Sequence, residues 1–549
     1  MSTPPAAPPP QPAPEVVELW SLREDTLVEL PDGDEDSLVL ATRWGEVRLP
    51  PRLHPALERM SYGPVVLRNL VTTDITEAAR RERDLLDSTL ETLENVMVRS
   101  LSVDGSRPLL SVVPIARDAR FRPLVPRADT LLRLSRYAMV SGDTEELCVE
   151  SPLRKQRVVL HRFEAAALVC SLAHPATVEE LAGRMGLPLG VVRAVVGYLE
   201  GAGVLVRGAV APGAAQPSFE EDHDPSLASW SPVELMMHAR SRTGRDDGPV
   251  GATGVPRDKP VAAGAAAPVV REPIALPRPE LDALLDKDPP LTAALEARSS
   301  VRAYGARPLT LAQLAELLFR AARVRTMASA GSVAGAAKGA AHGSQEAGGP
   351  GDAASSRPYP SVGRSYALEL YLLVSSCEGL APGAYHYDPV AHALRPVDAD
   401  PELAAELVVE AREVGGLVAD PPVLIVMTAR FQQVMARFSG LAYSGLLKDV
   451  GVLQQTLYLV CTAMGLAPCA LAVGDSDLSA RALGLDWSKE SSIGEFVLGP
   501  LPQGPPGFTP AAEHETPVNG PDWQERCRRV LGLWTAHASQ TSDVRSTDR

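Results

Sequence analysis

Apolar residues recur every three to four positions in several stretches of this chain and alternate or cluster in others, and the two patterns divide it into elements. DITEAARRERDLLDSTLETLENVMV, from Asp74 to Val98, has the helical spacing throughout. His161 to Val210 reads more sharply. A helix HRFEAAALVCSLA stops at His174-Pro175. Thr177 then caps VEELAGRMG, with Glu180 three residues on, a capping box, and Gly186 ends that helix. LGVVRAVVGYLEGAG follows as a third helix, and VLVRGAV as a strand. Three helices and a strand predict a winged helix-turn-helix. Nearer the start, β-prone runs such as SLVLATRWGEVRL, broken by PDGDED, predict a small sheet between Val16 and Pro51.

The second half repeats the exercise with longer elements. TLAQLAELLFRAARV is an amphipathic helix with Thr310 as its cap and Gln313 three residues on. RPYPSVGRSYALELYLLV is a turn feeding an apolar strand. DVGVLQQTLYLVCTAMGL, Asp449 to Leu466, is a long apolar helix, and APCALAVGDSD after it is a strand and a turn.

Low-complexity stretches mark the joints. The Pro/Ala-rich start cannot bury enough surface to fold. Gly248 to Pro268 is a Gly/Ala/Pro linker, and Ala328 to Ser356 is a small-residue insertion, either a lid or a tolerated loop. The chain therefore divides into a tail (1–15), a small α/β region (16–120), a winged-helix-like domain (121–212), a helix plus linker (213–279), a large C-terminal domain (280–540, with 328–356 as a mobile insertion) and a second tail (541–549). The fold class is α+β.

Composition narrows function only a little. At 549 residues the chain is too long for one ordinary core. A net charge of −15 argues against broad nucleic-acid or anionic-membrane binding. The third helix of the winged-helix stretch has Arg193 as its sole basic residue, which suits packing or peptide docking by strand addition better than reading a DNA groove. None of the six cysteines forms a CxxC or has zinc-ligand spacing, and Cys461 and Cys469 sit in an apolar run as small core residues. No signal peptide and no membrane span of about 18 apolar residues is read, so a cytoplasmic protein is expected.

Candidate chemistry lies in the C-terminal domain. Arg298, Ser300 and Arg302 place two guanidiniums and a hydroxyl within five residues, a set that suits a phosphate. Ser361 and Gly363 lie in the turn before the apolar strand, where glycine permits close approach of a planar ligand. Ala472, Val473, Gly474 and Asp475 form the turn after the later strand. Each segment alone is also an ordinary surface or loop feature.

Taken in order, RSSVR, RPYPSVGRSYALELYLLV, GAYHYDP and GVLQQTLYLVCTAMGLAPCALAVGDSD resemble the flavin-dependent nitroreductase superfamily, in its SagB-type branch of peptide azoline dehydrogenases. Trp230 to Thr253 adds a more specific marker, with His238, Arg240, Arg242, Gly244 and Arg245 matching the Trp…His-x-Arg-Ser-Arg-x-Gly-Arg signature. The resemblance covers roughly residues 120–540. It implies an FMN-binding nitroreductase-like domain after the winged-helix-like one. Arg298, Ser300 and Arg302 would hold the FMN phosphate and ribityl chain, and Ser361 and Gly363 the ring. Ala472, Val473 and Gly474 would pass backbone groups near the flavin edge. It further implies oxidation of thiazoline or oxazoline rings in ribosomal peptides to thiazoles or oxazoles, a cyclodehydratase partner that makes those rings, and a homodimer.

The sequence departs from the family at three places. Ser299 replaces the second arginine of the phosphate motif, and Val362 replaces a glycine of the turn. Arg437 and Phe438 stand where the family has a Lys-Tyr pair. Arginine stays protonated and phenylalanine has no proton to exchange, so neither is a general base. Tyr443 matches a later family tyrosine and can donate a hydrogen bond. Lys448 lies about one helical turn on, as a second catalytic candidate or a solvated lysine. Two other functions stay open: a reductase using NAD(P)H, and a non-catalytic peptide-binding scaffold with a degenerate flavin domain.

Overall fold

The computed structural model describes residues 15–502 except 32–36, 71–76, 104, 106, 143–145, 211–215, 242–243, 247–271, 328–354, 436–437 and 439–440, together with helical residues at 523, 525–527, 529 and 530. Nearly all of the expected tails, the whole Gly/Ala/Pro linker 248–268 and most of the insertion 328–356 lie outside these residues. The chain forms two compact units, residues 1–248 and 249–549.

The first unit is built on a six-stranded antiparallel sheet. Its order is Val16–Leu22, Met97–Val103, Leu110–Pro114, Gln156–Leu160, Leu147–Glu150 and Met139–Gly142. A three-stranded sheet (Leu27–Glu29, Leu38–Thr42, Gly45–Leu49) supplies the rest of the small sheet expected near the start. The helical reading of Asp74 to Val98 ran too far. The helix is Glu77–Thr92, and Met97 and Val98 already belong to a strand that pairs with Val16–Leu22. Local helical spacing gives no warning of such long-range pairing.

The winged-helix stretch has helices Phe163–Ser171, Val178–Met185 and Leu189–Gly201, with the strand Leu205–Ala209. Thr177 and Glu180 form the expected capping box, and Gly186 closes the helix at φ 64°. Leu189–Gly201 buries Val191, Val192, Val195, Val196, Tyr198 and Leu199, so it is a core helix. The segment through Arg122 and Leu124 crosses it so closely that a Cβ at Gly197 or Gly201 would strike that segment's carbonyls. One side of Leu205–Ala209 pairs with Leu131–Leu134. On the other side, Gly208 and Ala209 pair with Ser218–Phe219, which covers part of the edge that strand addition would use.

The second unit is a three-layer arrangement around a seven-stranded antiparallel sheet. Its strands, labelled within this unit, are β1 (Ile274–Ala275), β2 (Leu368–Val374), β3 (Gly383–Asp388), β4 (Ala393–Pro396), β5 (Val423–Arg430), β6 (Leu466–Leu471) and β7 (Glu490–Pro500). Their order is β1-β4-β3-β2-β5-β7-β6. The helices are α1 (Leu281–Lys287), α2 (Leu291–Ala297), α3 (Leu311–Ala322), α4 (Pro401–Gly415), α5 (Ala442–Ala463) and α6 (Ser476–Leu483), with a short helix Phe431–Met435. β2 is buried at all seven positions, because both sheet faces are covered. Leu368, Leu370 and Leu372 join the core with Leu314 and Leu317 of α3 and Leu453 and Leu457 of α5. Tyr371 and Leu373 join the opposite core with Leu407 of α4 and Leu478 of α6. The long apolar helix read from Asp449 begins earlier, at Ala442, and its 22 residues run about 33 Å.

Candidate active site

The arginine segment leaves α2 and runs beside β6. Val301 N–H donates to Pro468 O at 2.8 Å. The Ser300 and Tyr458 hydroxyls lie 2.7 Å apart, and the Tyr458 oxygen also accepts from Ala470 N–H at 2.8 Å. Tyr458 thus ties α5 to both the arginine segment and β6. The Arg298 guanidinium lies 5.2 Å from the Tyr458 ring centre. Arg302 donates Nε to Gly415 O, at the end of α4, at 2.8 Å. Among the described residues neither arginine has a carboxylate at ion-pair distance, so both keep donors for an anion. Burial pushes the neighbouring Cys469 thiol up, which makes it an inert core group.

The turn after β6 carries the other residues expected there. Ala472 is exposed and so is Val473, at 64%. Gly474 rests directly on the Glu495 carboxyl, which leaves no room for a Cβ. Asp475, read as part of the turn, caps α6 by accepting from Leu478 N–H at 2.8 Å. Glu495 is buried and accepts from the Ser492 hydroxyl. Burial holds its carboxyl above the ordinary range. The same holds for Glu410 of α4, although Asp475 N–H pulls Glu410 back.

Ser361 and Gly363 are placed elsewhere. The Ser361 hydroxyl donates to Asp449 Oδ2 at 2.6 Å, and Val362 N–H donates to Oδ1 at 2.9 Å. Tyr366 N–H closes the loop on the Ser361 oxygen at 2.9 Å. Burial lifts the Asp449 carboxyl above its ordinary range, and the two loop hydrogen bonds offset part of that. The loop holds Gly363, Arg364 and Tyr366 at φ values of 52°, 54° and 44°. Positive φ at two non-glycine residues is stored strain. The Phe438 ring occupies the space that a Cβ on Gly363 would take.

Asp449 and Tyr458 are nine positions apart on α5, about 2.5 turns and roughly 13 Å, and so face opposite ways. One copy therefore joins Arg298, Ser300 and Arg302 to β6 and its turn. It joins Ser361 and Gly363 to Asp449 and Phe438, but it does not bring the two groups onto one face. Tyr443 and Lys448 are both exposed on α5, about 140° apart around its axis. The Tyr443 ring centre lies 6.2 Å from that of Phe431. Arg437 lies outside the described residues.

Asp449, Tyr458 and Glu495 were not singled out from the sequence. Their signal was there, as polar groups inside otherwise apolar runs. The Trp230 stretch is a capped helix, Pro232–Arg240, with Trp230 and His238 rings stacked at 5.5 Å. Its arginines act as staples within the first unit. Arg240 binds Glu150 Oε2 at 2.8 Å and Ser151 O at 3.1 Å, and Arg245 binds Pro152 O and Leu153 O. Arg242 lies outside the described residues.

Residues 132–247 match the family model described as cyanobactin oxidase ThcOx, and residues 295–499 match that of the nitroreductase family. The chain is an oxidoreductase with a ThcOx-like region and a nitroreductase-family domain. A nitroreductase-like protein of Methanocaldococcus jannaschii is 27% identical over 176 residues, 32% of this chain and 75% of the relative. A solved nitroreductase-like structure from Ralstonia eutropha is 23% identical and covers 45% of this chain and 99% of its own, with a TM-score of 0.31. The Escherichia coli microcin synthetase McbBCD complex, with truncated pro-MccB17 bound, is 21% identical. It covers 36% of this chain and 66% of its own, with a TM-score of 0.28. The assignment rests on the two family models. No helix among the described residues is long and apolar enough to cross a membrane.

Proposed function

We propose that this chain binds FMN and oxidises thiazoline or oxazoline rings in ribosomally made peptides to thiazoles or oxazoles. The observation that carries the reading is the union, on one chain, of a ThcOx-matched region and a nitroreductase domain with unpaired arginines at the β6 edge. A cyclodehydratase that closes Cys, Ser or Thr onto the backbone is the partner reaction, because azolines are the substrate.

The residues present fit FMN. Arg298 is half-buried over Tyr458 with no carboxylate beside it among the described residues, and Arg302 spends a single N–H on Gly415 O. Two guanidiniums so disposed suit a dianionic phosphate. Ser300 adds a hydroxyl. The exposed backbone of Ala472 and Val473 and the close-packed Gly474 offer peptide groups at the turn. FMN, when bound, supplies the two-electron acceptor. Tyr443, on an exposed side of α5, is the candidate to donate a hydrogen bond to the peptide, and Lys448, on another exposed side of the same helix, is the candidate to take the ring proton.

The same geometry supports a homodimer. The Ser361 loop and the Arg298 segment lie against opposite faces of α5, so a site that uses both draws on two copies. Leu447 of α5 and Leu291 and Leu295 of α2 are exposed apolar positions that a second copy would cover.

The test is the visible spectrum of the purified protein, mass spectrometry of the released cofactor, and turnover of an azoline peptide. Flavin bands, an FMN mass and azole product are expected. A colourless protein that FMN cannot reconstitute overturns the reading in favour of a peptide-binding scaffold. A reductase using NAD(P)H is the second reading. Phe438 favours it, because a phenyl ring stands where the family pair has a tyrosine. NAD(P)H consumption without azoline oxidation would select it.

A further inference from the structure

Four guanidinium groups gather at the other side of the sheet, around β1, β4 and β3. Arg357 opens the loop that leads to Ser361. It is 9% exposed, and its Nε is buried with no hydrogen-bond partner. Its contact is the Tyr366 ring, 5.6 Å from Cζ. Arg323 caps α3, donates Nη1 to Phe319 O at 2.7 Å and lies 4.2 Å over the Phe319 ring. Arg325 donates its backbone N–H to Ser356 O, and its guanidinium to the Ser356 hydroxyl at 2.8 Å, which places it next to Arg357. Arg278 follows β1. The charges of Arg357, Arg323 and Arg278 all reach Tyr387, whose hydroxyl is 3.0 Å from His392 Nδ1.

None of these four has a carboxylate at ion-pair distance among the described residues, although the charge of Asp388 reaches Tyr387 as well. Elsewhere in the same unit Arg320, Arg395, Arg412 and Arg430 each have one. Asp388, the acidic group nearest in sequence to Tyr387, is taken by Arg395 at 3.1 Å. Burial and the neighbouring Arg325 push Arg323 below its ordinary range. The carbonyls at the end of α3 answer Arg323 with a partial charge. Arg357 has no ion-pair partner among the described residues, and its Nε is buried without a hydrogen bond, which is costly. The chain tolerates this cluster although its net charge is −15.

We propose that Arg357, with Arg323, Arg325 and Arg278, binds a small dianionic ligand that bears a phosphoryl group. Neighbouring planar guanidinium forks suit phosphate oxygens, and a single carboxylate would leave most of their donors unanswered. This site is separate from the Arg298 segment. β3 and β6 are four strand spacings apart, ~19 Å. It stands whether or not the other site takes FMN.

The experiment is thermal unfolding of the full chain with inorganic pyrophosphate at about 1–10 mM, against potassium chloride of equal ionic strength. The expected result is a midpoint that rises by several degrees with pyrophosphate in the wild type and in the Arg298→Ala/Arg302→Ala variant. Arg357→Met should abolish that rise and should itself unfold at a higher temperature in pyrophosphate-free buffer, because it removes an unpaired buried charge. Arg278→Gln with Arg325→Gln, both at exposed positions, should weaken the response at least tenfold and covers the case in which Arg357→Met fails to fold. A response lost in Arg298→Ala/Arg302→Ala but kept in the Arg357 variant overturns the proposal. So does the absence of any rise in the wild type over that range, or a double Gln variant that responds like the wild type.

Discussion

The Ser361 hydroxyl donates to Asp449 Oδ2 at 2.6 Å across 88 residues of sequence, and this bond anchors a strained loop to the middle of α5. Asp449 is buried and also receives Val362 N–H. Asp449→Ala leaves two half-buried donors without an acceptor and should cost about 2–4 kcal/mol. Asp449→Asn keeps an acceptor and loses a charge that burial already disfavours, so it should cost less than about 1 kcal/mol. Urea unfolding of the two variants checks the order. Equal losses would mean that the charge, not the acceptor, holds the loop.

Arg298→Ala with Arg302→Ala should release FMN. Charge-assisted hydrogen bonds to phosphate contribute roughly 1.5–3 kcal/mol each, so affinity should fall at least about 100-fold. Flavin absorbance retained after desalting is the readout. Single Arg307→Ala, at an exposed position further along the chain, serves as the control.

Gly474 and Glu495 should be coupled. A methyl at Gly474 collides with a buried carboxyl, so Gly474→Ala should destabilise by roughly 1–3 kcal/mol. In the Glu495→Ala background the same change should cost far less. A double-mutant cycle by urea unfolding measures the difference, and strict additivity would show that the collision is relieved elsewhere.

The same carboxyl gives a pH dependence. Burial raises the folded-state pKa of Glu495 above its ordinary 4.5. The folded chain then holds the proton more tightly than the unfolded chain. Its contribution to stability is present at low pH and is lost as pH rises from about 4.5 through the folded value. Glu495→Gln should therefore be the more stable protein at pH 7 and should show a shallower loss of stability as pH rises above about 4.5. Denaturant midpoints across that range decide it. A slope unchanged by the substitution would remove Glu495 as its source.

Leu447→Glu should break the pairing of copies. Leu447 is 39% exposed on α5, one turn from Tyr443, and a charge there would have to be desolvated in any interface that covers this face of the helix. Size exclusion with light scattering should show the wild type at twice the chain mass and the variant at once that mass. A wild type that runs as a monomer and still holds flavin would end the dimer reading.

Much of the second unit was legible in the sequence because its signals are local. The capping box at Thr310 and Gln313, the largely apolar β2 and the apolar length of α5 each speak within one element. The first unit was less so. Its central sheet pairs Val16 with Val103 and Gln156 with Pro114, and no local period records such partners. The site was legible in its residues but not in their grouping. Ser361 and Arg298 read as parts of one ligand grip, yet they lie against opposite sides of α5. Only the helical phase of Asp449 and Tyr458, two residues hidden in an apolar run, could have shown it.

That opposition of Asp449 and Tyr458 has a consequence for inheritance. If each site is completed by the neighbouring copy, a chain damaged in the Ser361 loop and a chain damaged at Arg298 are not equally useless together. Mixed pairs would hold one site built wholly from intact parts and one built wholly from damaged parts. Two defective alleles would then restore up to half the activity of a normal pair, whereas two lesions in the same half-site would restore none.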